Sequence, residues 1–287
     1  MTRHLEEAIT ARIDPGLAPD GAPRPTLSLA HVHRIARETG THVRQVELAA
    51  LHAGVTPERY LRNRQTYDIT DQIRLLEARA AVVGLGGLGG TVIEILARAG
   101  VGALVLIDGD RFEAHNLNRQ LLCTEAYMGN SKATIAAQRV AEINDAVQAT
   151  VHTVFLTEEN ARDLIAGCQV VVDCLDTIET RFMVEQAARE AGIPMISAAV
   201  AGLTGHVTTI FPGDRGLEMV HGPRHHLKSA KGAEAVLGNV PQTVVMAAAM
   251  ECSEALKVLT CRTGPSLRNK LWIMDLTDNT FEVLSLV

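Results

Sequence analysis

Aromatic residues are scarce, with three tyrosines, five phenylalanines and one tryptophan in 287 residues. That leaves little material for base-stacking platforms or aromatic cages, and aliphatic side chains must build the core. A basic excess is also missing: 27 Lys and Arg face 33 Asp and Glu, a formal net charge of −6. Chains that hold nucleic acid or membranes mainly by charge usually show the opposite balance. No apolar run approaches the roughly 18 to 20 residues that cross a bilayer. The opening MTRHLEEAIT lacks the basic-then-apolar order of a signal peptide. The expectation is a cytoplasmic chain with neither membrane nor nucleic acid among its partners. Cys123, Cys168, Cys174, Cys252 and Cys261 form no C-x-x-C pair and no regular spacing, which argues against a disulfide framework and fits a reducing compartment.

The length allows one large core with a small appendage. Residues 13–26, IDPGLAPDGAPRPT, hold four prolines and two glycines without apolar periodicity. They read as an extended or mobile linker behind a short tail, so 1–26 forms a first segment. Apolar residues at helical spacing, broken around Gly40, predict two short helices in an accessory region over 27–57. Ala36 and Gly40 partly imitate a helix-turn-helix, but Arg34, Arg37 and Arg44 against Glu38 and Glu47 leave one net positive charge. Simple helical packing is the better reading.

From Arg79 the signals alternate. Strands are expected at 80–84, 103–108, 150–155, 169–175 and 194–199, with helices through 91–100, 131–144, 157–167 and 179–191. Short apolar, β-rich runs between amphipathic helices imply an α/β fold with a Rossmann-like, doubly wound, mostly parallel sheet covered on both faces. The segments 205–211, 271–276 and 280–286 read as added antiparallel strands, and 244–259 as a long buried helix. This domain is placed over 58–287.

GLGGLG at 84–89 follows the strand AAVV and opens a helix, the context a G-x-G-x-x-G fingerprint requires. Its glycines let a backbone approach phosphate, and the helix start favours anions. Asp108 ends the next strand, where a carboxylate can accept hydrogen bonds from ribose hydroxyls. NAD, FAD, S-adenosylmethionine and ATP fit this pattern equally. Two further segments, GDRFEAHNLNRQ (109–120) and GNSKATIAAQRV (129–140), bring cations. Breaking a triphosphate builds negative charge on the leaving pyrophosphate, which Arg119 and Lys132 can offset. Asn116 can donate to a phosphoryl oxygen, and Asp176, beyond the strand VVVDCL, can hold Mg²⁺.

With RYLRNR (59–64), VVGLGGLGG (82–90), LIDGD (106–110), NLNRQ (116–120), GNSKA (129–133) and DCLDTIETR (173–181) in order, residues 58–287 resemble the ThiF, MoeB and HesA family, bacterial relatives of ubiquitin-activating enzyme. The resemblance implies adenylation of the C-terminal carboxylate of a ubiquitin-like sulfur-carrier protein ending in Gly-Gly, later converted to a thiocarboxylate. It implies that Gly84, Gly86, Gly87, Leu88 and Gly89 line the phosphate path and that Asp108 binds ribose. Asn116, Arg119 and Lys132 would act on the phosphates with Asp176 at the magnesium, while Asp110, Gln120 and Thr177 complete the ATP-contacting set. Arg62 would enter the neighbouring subunit's ATP site, making a homodimer part of the mechanism.

The sequence departs from the family in two places. Many members hold structural zinc with two C-x-x-C pairs, but the corresponding stretches 216–223 and 274–281 lack cysteine, so no structural zinc is expected. The crossover segment 228–238, where some relatives carry a reactive cysteine, also has none. Cys174 reads as a buried strand-end residue. His221, His225 and His226 read as solvated loop residues with a weaker reading as metal ligands. His115 and Thr177 stand where relatives often have Ser and Asn. The competing readings are a dehydratase activating a tRNA nucleoside, an NAD-dependent oxidoreductase, and a noncatalytic carrier-binding scaffold.

Overall fold

The computed structural model describes residues 3–17, 21–224, 233–262, 264 and 266–286. His225, His226 and the first part of the crossover segment lie outside the described residues.

The chain begins with α1 (Arg3–Thr10), β1 (Asp14–Leu17), β2 (Pro23–Leu27), α2 (Leu29–Thr39), α3 (Val43–His52) and β3 (Thr56–Pro57). The segment read as a tail is thus helical, because Leu5 and Ile9, four residues apart, share one face and are buried with Leu27, Val32, Ile35 and Val46. The linker is extended but paired: Asp14–Leu17 runs antiparallel to Pro23–Leu27, and β3 joins β2 in parallel. Proline is compatible with such short edge strands. The two expected helices are present. Ser28 caps α2 by accepting from His31 N–H, and Gly40, at φ +66°, ends it.

A 3₁₀ turn (Glu58–Asn63) and α4 (Ile69–Glu77) lead into β4 (Arg79–Val83), α5 (Gly87–Ala99), β5 (Ala103–Ile107), α6 (Lys132–Ile143), β6 (Gln148–His152), α7 (Ala161–Leu164), β7 (Val170–Asp173), α8 (Ile178–Ala191), β8 (Met195–Ala201) and β9 (Thr204–Ile210). Then come α9 (Glu218–His221), α10 (Glu234–Leu237), α11 (Pro241–Leu259), β10 (Lys270–Asp275) and β11 (Thr280–Ser285). These strands form one sheet in the order β11-β10-β9-β8-β7-β4-β5-β6. It is parallel from β8 to β6 and antiparallel from β8 to β11.

The alternation along β4 divides the core. Ala80 and Val82 face the cluster built with α5, α6 and α11, while Ala81 and Val83 face the cluster built with α7 and α8. Burial of each Val, Leu or Ile contributes roughly 1.5–3 kcal/mol. Several elements are shorter than expected, among them β7, which covers Val170–Asp173 of the expected 169–175. The edge strand β6 stops at His152, and α7 has four residues because Asn160 satisfies the preceding backbone instead: its side chain accepts from Thr157 N–H at 2.8 Å and donates to Phe155 C=O at 2.9 Å. Among the described residues, no helix is long and apolar enough to cross a membrane.

The N-terminal region meets the α/β body through a polar joint. Glu47 on α3 pairs with Arg59 at 2.9 Å and accepts from the Tyr60 hydroxyl at 3.0 Å. Arg59 also pairs with Asp145 at 2.8 Å, and Asn144 donates to Tyr60 Oη at 2.9 Å. Burial pushes the Glu47 carboxyl up to about 7, against the lowering effect of Arg59 and Tyr60. These bonds fix the 3₁₀ turn that carries Arg62.

Candidate functional site

The C-terminal edge of β4, β5 and β7 gathers most of the expected residues. Gly84, at φ +88°, turns the chain out of β4, and a Cβ there would lie 2.7 Å from Cys174 C=O. A Cβ on Gly89 would lie 1.9 Å from Gly84 C=O. The glycines therefore let helix and strand approach more closely than any side chain allows. Gly86 precedes α5, no side chain caps the helix, and Gly87, Leu88 and Gly89 form its first turn. Their amides are available to an anion.

Asp108 follows β5. Its carboxylate accepts from Leu85 N–H and Asp110 N–H, both at 2.7 Å, and so is tied to the glycine loop. Carboxylate oxygens retain further lone pairs for ribose hydroxyls. Lys132, the first residue of α6, donates from Nζ to Asp110 Oδ2 at 3.0 Å. Residues 109–112 and 129–132 are clasped by Phe112 N–H to Asn130 C=O, Gly129 N–H to Phe112 C=O, and Lys132 N–H to Asp110 C=O.

Asn116 is buried, and its carboxamide oxygen accepts from Glu113 N–H at 2.9 Å, which leaves the amide NH₂ as the donor end. Arg119 is half-buried and lies in an irregular turn; its guanidinium donates to His115 C=O at 3.0 Å and Asn118 Oδ1 at 2.9 Å. Gln120 is buried beside Gly86, with its Oε1 unpartnered. Asp176 is exposed beyond β7, where none of the described residues bonds to it, and Thr177 precedes α8 with its hydroxyl bonded to that of Thr180. Arg62 is exposed on its 3₁₀ turn and joined to none of these residues by a hydrogen bond or ion pair within the chain.

Two buried groups under this edge were not singled out from sequence. Arg181 donates to Asp173 Oδ2 at 2.9 Å and to Leu175 C=O, while Ser197 donates to Asp173 at 2.7 Å. This network holds the turn that presents Asp176, and its sequence signal was the arginine closing DCLDTIETR. Glu251 sits fully buried on α11, where burial drives its carboxyl well above the usual carboxylate range. The Cys174 thiol donates to it at 3.8 Å, and burial raises that thiol too, which makes it unreactive. His221 belongs to α9, its ring 6.0 Å from that of His206.

The open helix start, the glycine cradle and Lys132, tied through Asp110 to the loop after β5, suit a nucleotide bearing several phosphates. Among the described residues, no three His, Cys, Asp or Glu side chains converge as a metal cage. Asp176 alone suits Mg²⁺, which commonly uses one or two carboxylates together with substrate phosphates.

Known proteins agree in sequence and in fold. The chain is 34% identical over 275 residues to the mouse adenylyltransferase and sulfurtransferase MOCS3, covering 92% of this chain and 53% of that one. It is 34% identical over 215 residues to the SAMP-activating enzyme E1 of Haloferax volcanii, covering 74% and 78%. With the sulfur carrier protein ThiS adenylyltransferase of Bacillus subtilis it shares 36% over 191 residues, covering 66% and 56%. The chain thus spans about half the length of the first and third of these relatives. Among solved structures, E. coli MccB with ATP superposes with a TM-score of 0.70 at 22% identity, covering 80% of this chain and 71% of that one, a likeness of fold. The ThiF family model matches residues 60–286, and the chain belongs to the ThiF family.

Proposed function

We propose that the chain is an adenylyltransferase that uses ATP to activate the C-terminal carboxylate of a ubiquitin-like sulfur-carrier protein ending in Gly-Gly. The observation that carries this reading is the uncapped start of α5, with Asp108 tethered to the glycine loop before it through Leu85 N–H and Lys132 held by Asp110 two residues on. The names of the relatives, adenylyltransferases and an E1-type activating enzyme, support adenylation over hydride transfer, and the ThiS adenylyltransferase supports a sulfur carrier over a tRNA nucleoside.

In the reaction, a carboxylate oxygen of the carrier attacks the α-phosphorus of ATP. The bond between the α-phosphorus and the bridging oxygen breaks, and pyrophosphate leaves with the electron pair. The product is an acyl-adenylate. No proton moves, so the site needs cations and positioning rather than a general base. The α5 amides and Lys132 receive the phosphates, Asn116 and Arg119 donate to phosphoryl oxygens, Gln120 and Thr177 contact the nucleotide, and Asp108 accepts from ribose. Asp176 would hold Mg²⁺, which when bound neutralises triphosphate charge. Arg62, exposed and unengaged among the described residues, enters the partner subunit's site in a homodimer. The crossover segment has no cysteine, so sulfur transfer falls to another protein.

Carrier-dependent exchange of labelled pyrophosphate into ATP tests the reading. Exchange with at least one Gly-Gly-ending carrier is expected. Its absence with every carrier, together with tight NAD binding, contradicts the proposal.

A further inference from the structure

The 3₁₀ turn Glu58–Asn63 is anchored on both sides of Arg62. Tyr60, two residues before it, is fully buried, with its ring against Gly100, where a Cβ would come within 2.6 Å of Tyr60 Cε1. Asn63, the residue after it, donates from Nδ2 to Gln72 Oε1 at 3.3 Å, and Gln72 donates in turn to Ala99 C=O at 2.9 Å. Between these anchors Arg62 is exposed, and its side chain is bonded to none of the described residues. Arg59 and Arg62 are one 3₁₀ turn apart, so their side chains leave the same side of the backbone. Arg59 is nonetheless drawn inward: its guanidinium pairs with Glu47 at 2.9 Å and with Asp145 at 2.8 Å, and it donates to Asn144 Oδ1.

Glu47 reaches this turn from outside the α/β body. It lies on α3, among the accessory helices, and its side chain is 0% exposed. Two residues of the turn meet it there, Arg59 through the ion pair and Tyr60 through a hydroxyl that donates at 3.0 Å. Taking one member from a buried pair strands the other, so a carboxylate held this way is a strong constraint on both partners. The joint has a second side. Asn144 and Asp145 follow α6, the helix that Lys132 opens; Asn144 donates to Tyr60 Oη at 2.9 Å and to Ala97 C=O at 3.0 Å, and the His33 ring on α2 lies 2.7 Å from Asp145. Glu47 can therefore act on Arg62 through the turn or on its own chain's Lys132 through α6. The turn is the nearer route, because Glu47 bonds to two of its residues directly and reaches Asn144 and Asp145 only through those two.

We propose that Glu47 is a positioning residue that sets Arg62 for the reaction in the partner subunit, so that the accessory helices of one chain govern adenylation at the other chain's site. This inference rests on the reading of Arg62 as acting in trans. Glu47 holds the Arg59 guanidinium away from Arg62 and fixes the backbone on which Arg62 is displayed. Its effect is on placement rather than on chemistry, and a misplacement of about 1 Å can cost on the order of 100-fold in rate.

The test is subunit complementation with the full chain, read as carrier-dependent pyrophosphate exchange after verified subunit exchange. Glu47→Gln keeps the size of the side chain and removes its charge, and it is expected to lower exchange roughly ten- to 100-fold. Mixed in equal amounts with Lys132→Ala, it should recover to about a quarter of wild type, since random pairing makes about half the dimers mixed and each mixed dimer joins an intact Lys132 to a correctly set Arg62. Mixed with Arg62→Ala, it should show no recovery. Tyr60→Phe removes the hydroxyl bonded to Glu47 and keeps the ring; it should give the same pattern with a smaller loss, and it carries the test if Glu47→Gln does not fold. Recovery with Arg62→Ala, or none with Lys132→Ala, places the effect in the chain's own site and overturns the proposal, as does wild-type exchange by Glu47→Gln alone. No recovery in the control mixture of Arg62→Ala with Lys132→Ala overturns the trans reading itself and this inference with it.

Discussion

Lys132 and Asp110 hold each other twice, through Nζ to Oδ2 at 3.0 Å and through Lys132 N–H to Asp110 C=O at 3.0 Å. The lysine side chain is only 8% exposed, whereas the aspartate is 53% exposed. A largely buried ammonium thus has a counter-ion at the surface, one that a triphosphate can supplement or replace. Asp110→Asn removes that charge while keeping a hydrogen-bonding side chain. The variant should lose about 1 kcal/mol of stability without nucleotide. Saturating ATP should then raise its melting temperature more than that of wild type, because phosphate charge restores the missing partner. Paired melting curves with and without ATP measure this, and an equal rise in both proteins contradicts it.

A Cβ on Gly89 would lie 1.9 Å from Gly84 C=O, whereas one on Gly87 would meet a Val244 methyl at 2.9 Å and the Arg119 C=O at an ordinary 3.5 Å. A backbone carbonyl cannot retreat as a side-chain methyl can. Gly89→Ala should cost about 1–3 kcal/mol or fail to fold, while Gly87→Ala should fold with a smaller loss. Urea titration of the two variants reads the difference; equal midpoints would show that the loop is not set by this contact.

Arg62 is exposed and its side chain is bonded to none of the described residues, although its neighbours Arg59 and Tyr60 are locked into the joint with Glu47, Asn144 and Asp145. Arg62→Ala should therefore fold and melt like wild type but lose pyrophosphate exchange. Mixing inactive Arg62→Ala with inactive Lys132→Ala should restore about a quarter of wild-type activity, since random exchange makes half the dimers mixed and each mixed dimer keeps one complete site. No recovery after verified subunit exchange argues against action in trans.

His206, on β9, is pushed down to about 4 by burial first and then by the positive charge of Arg181 and by His221. Its unfolded value is near 6.5, so between pH 4 and 6.5 the unfolded chain binds more protons. The stability linked to a neutral His206 is complete above pH 6.5 and is lost as the pH falls toward 4. His206→Gln should accordingly lose about 1–2 kcal/mol less than wild type between pH 8 and pH 5. Urea unfolding at the two pH values checks it, and parallel losses would contradict it.

Much of the architecture was legible because its signals are local. The runs AAVV, LVLI and VVVD have the length and branching of buried parallel strands, and GLGGLG marks a junction where helix and strand approach backbone to backbone. The N-terminal pairing of β1 with β2 was not legible, since prolines mask strand propensity and register depends on the distant Thr26 and Thr56. The short α7 was missed because Asn160 competes for the backbone through its side chain. At the site, Asp108 and Lys132 were singled out from their places after a strand and at a helix start and Gln120 through the family resemblance, whereas Glu251 was hidden in an apolar helix. Its burial depends on what lies across the fold, which no linear pattern records.

The central claim is that an acyl-adenylate forms on the carrier's C-terminus. Intact-mass spectrometry of a Gly-Gly-ending carrier, incubated with the protein, ATP and Mg²⁺ and quenched in acid, measures it directly. The account predicts a carrier species heavier by one adenylyl group, formed by wild type and absent with Lys132→Ala or with a carrier lacking its final glycine. A carrier of unchanged mass under conditions where wild type binds ATP, or an adduct formed equally well by Lys132→Ala, would contradict it.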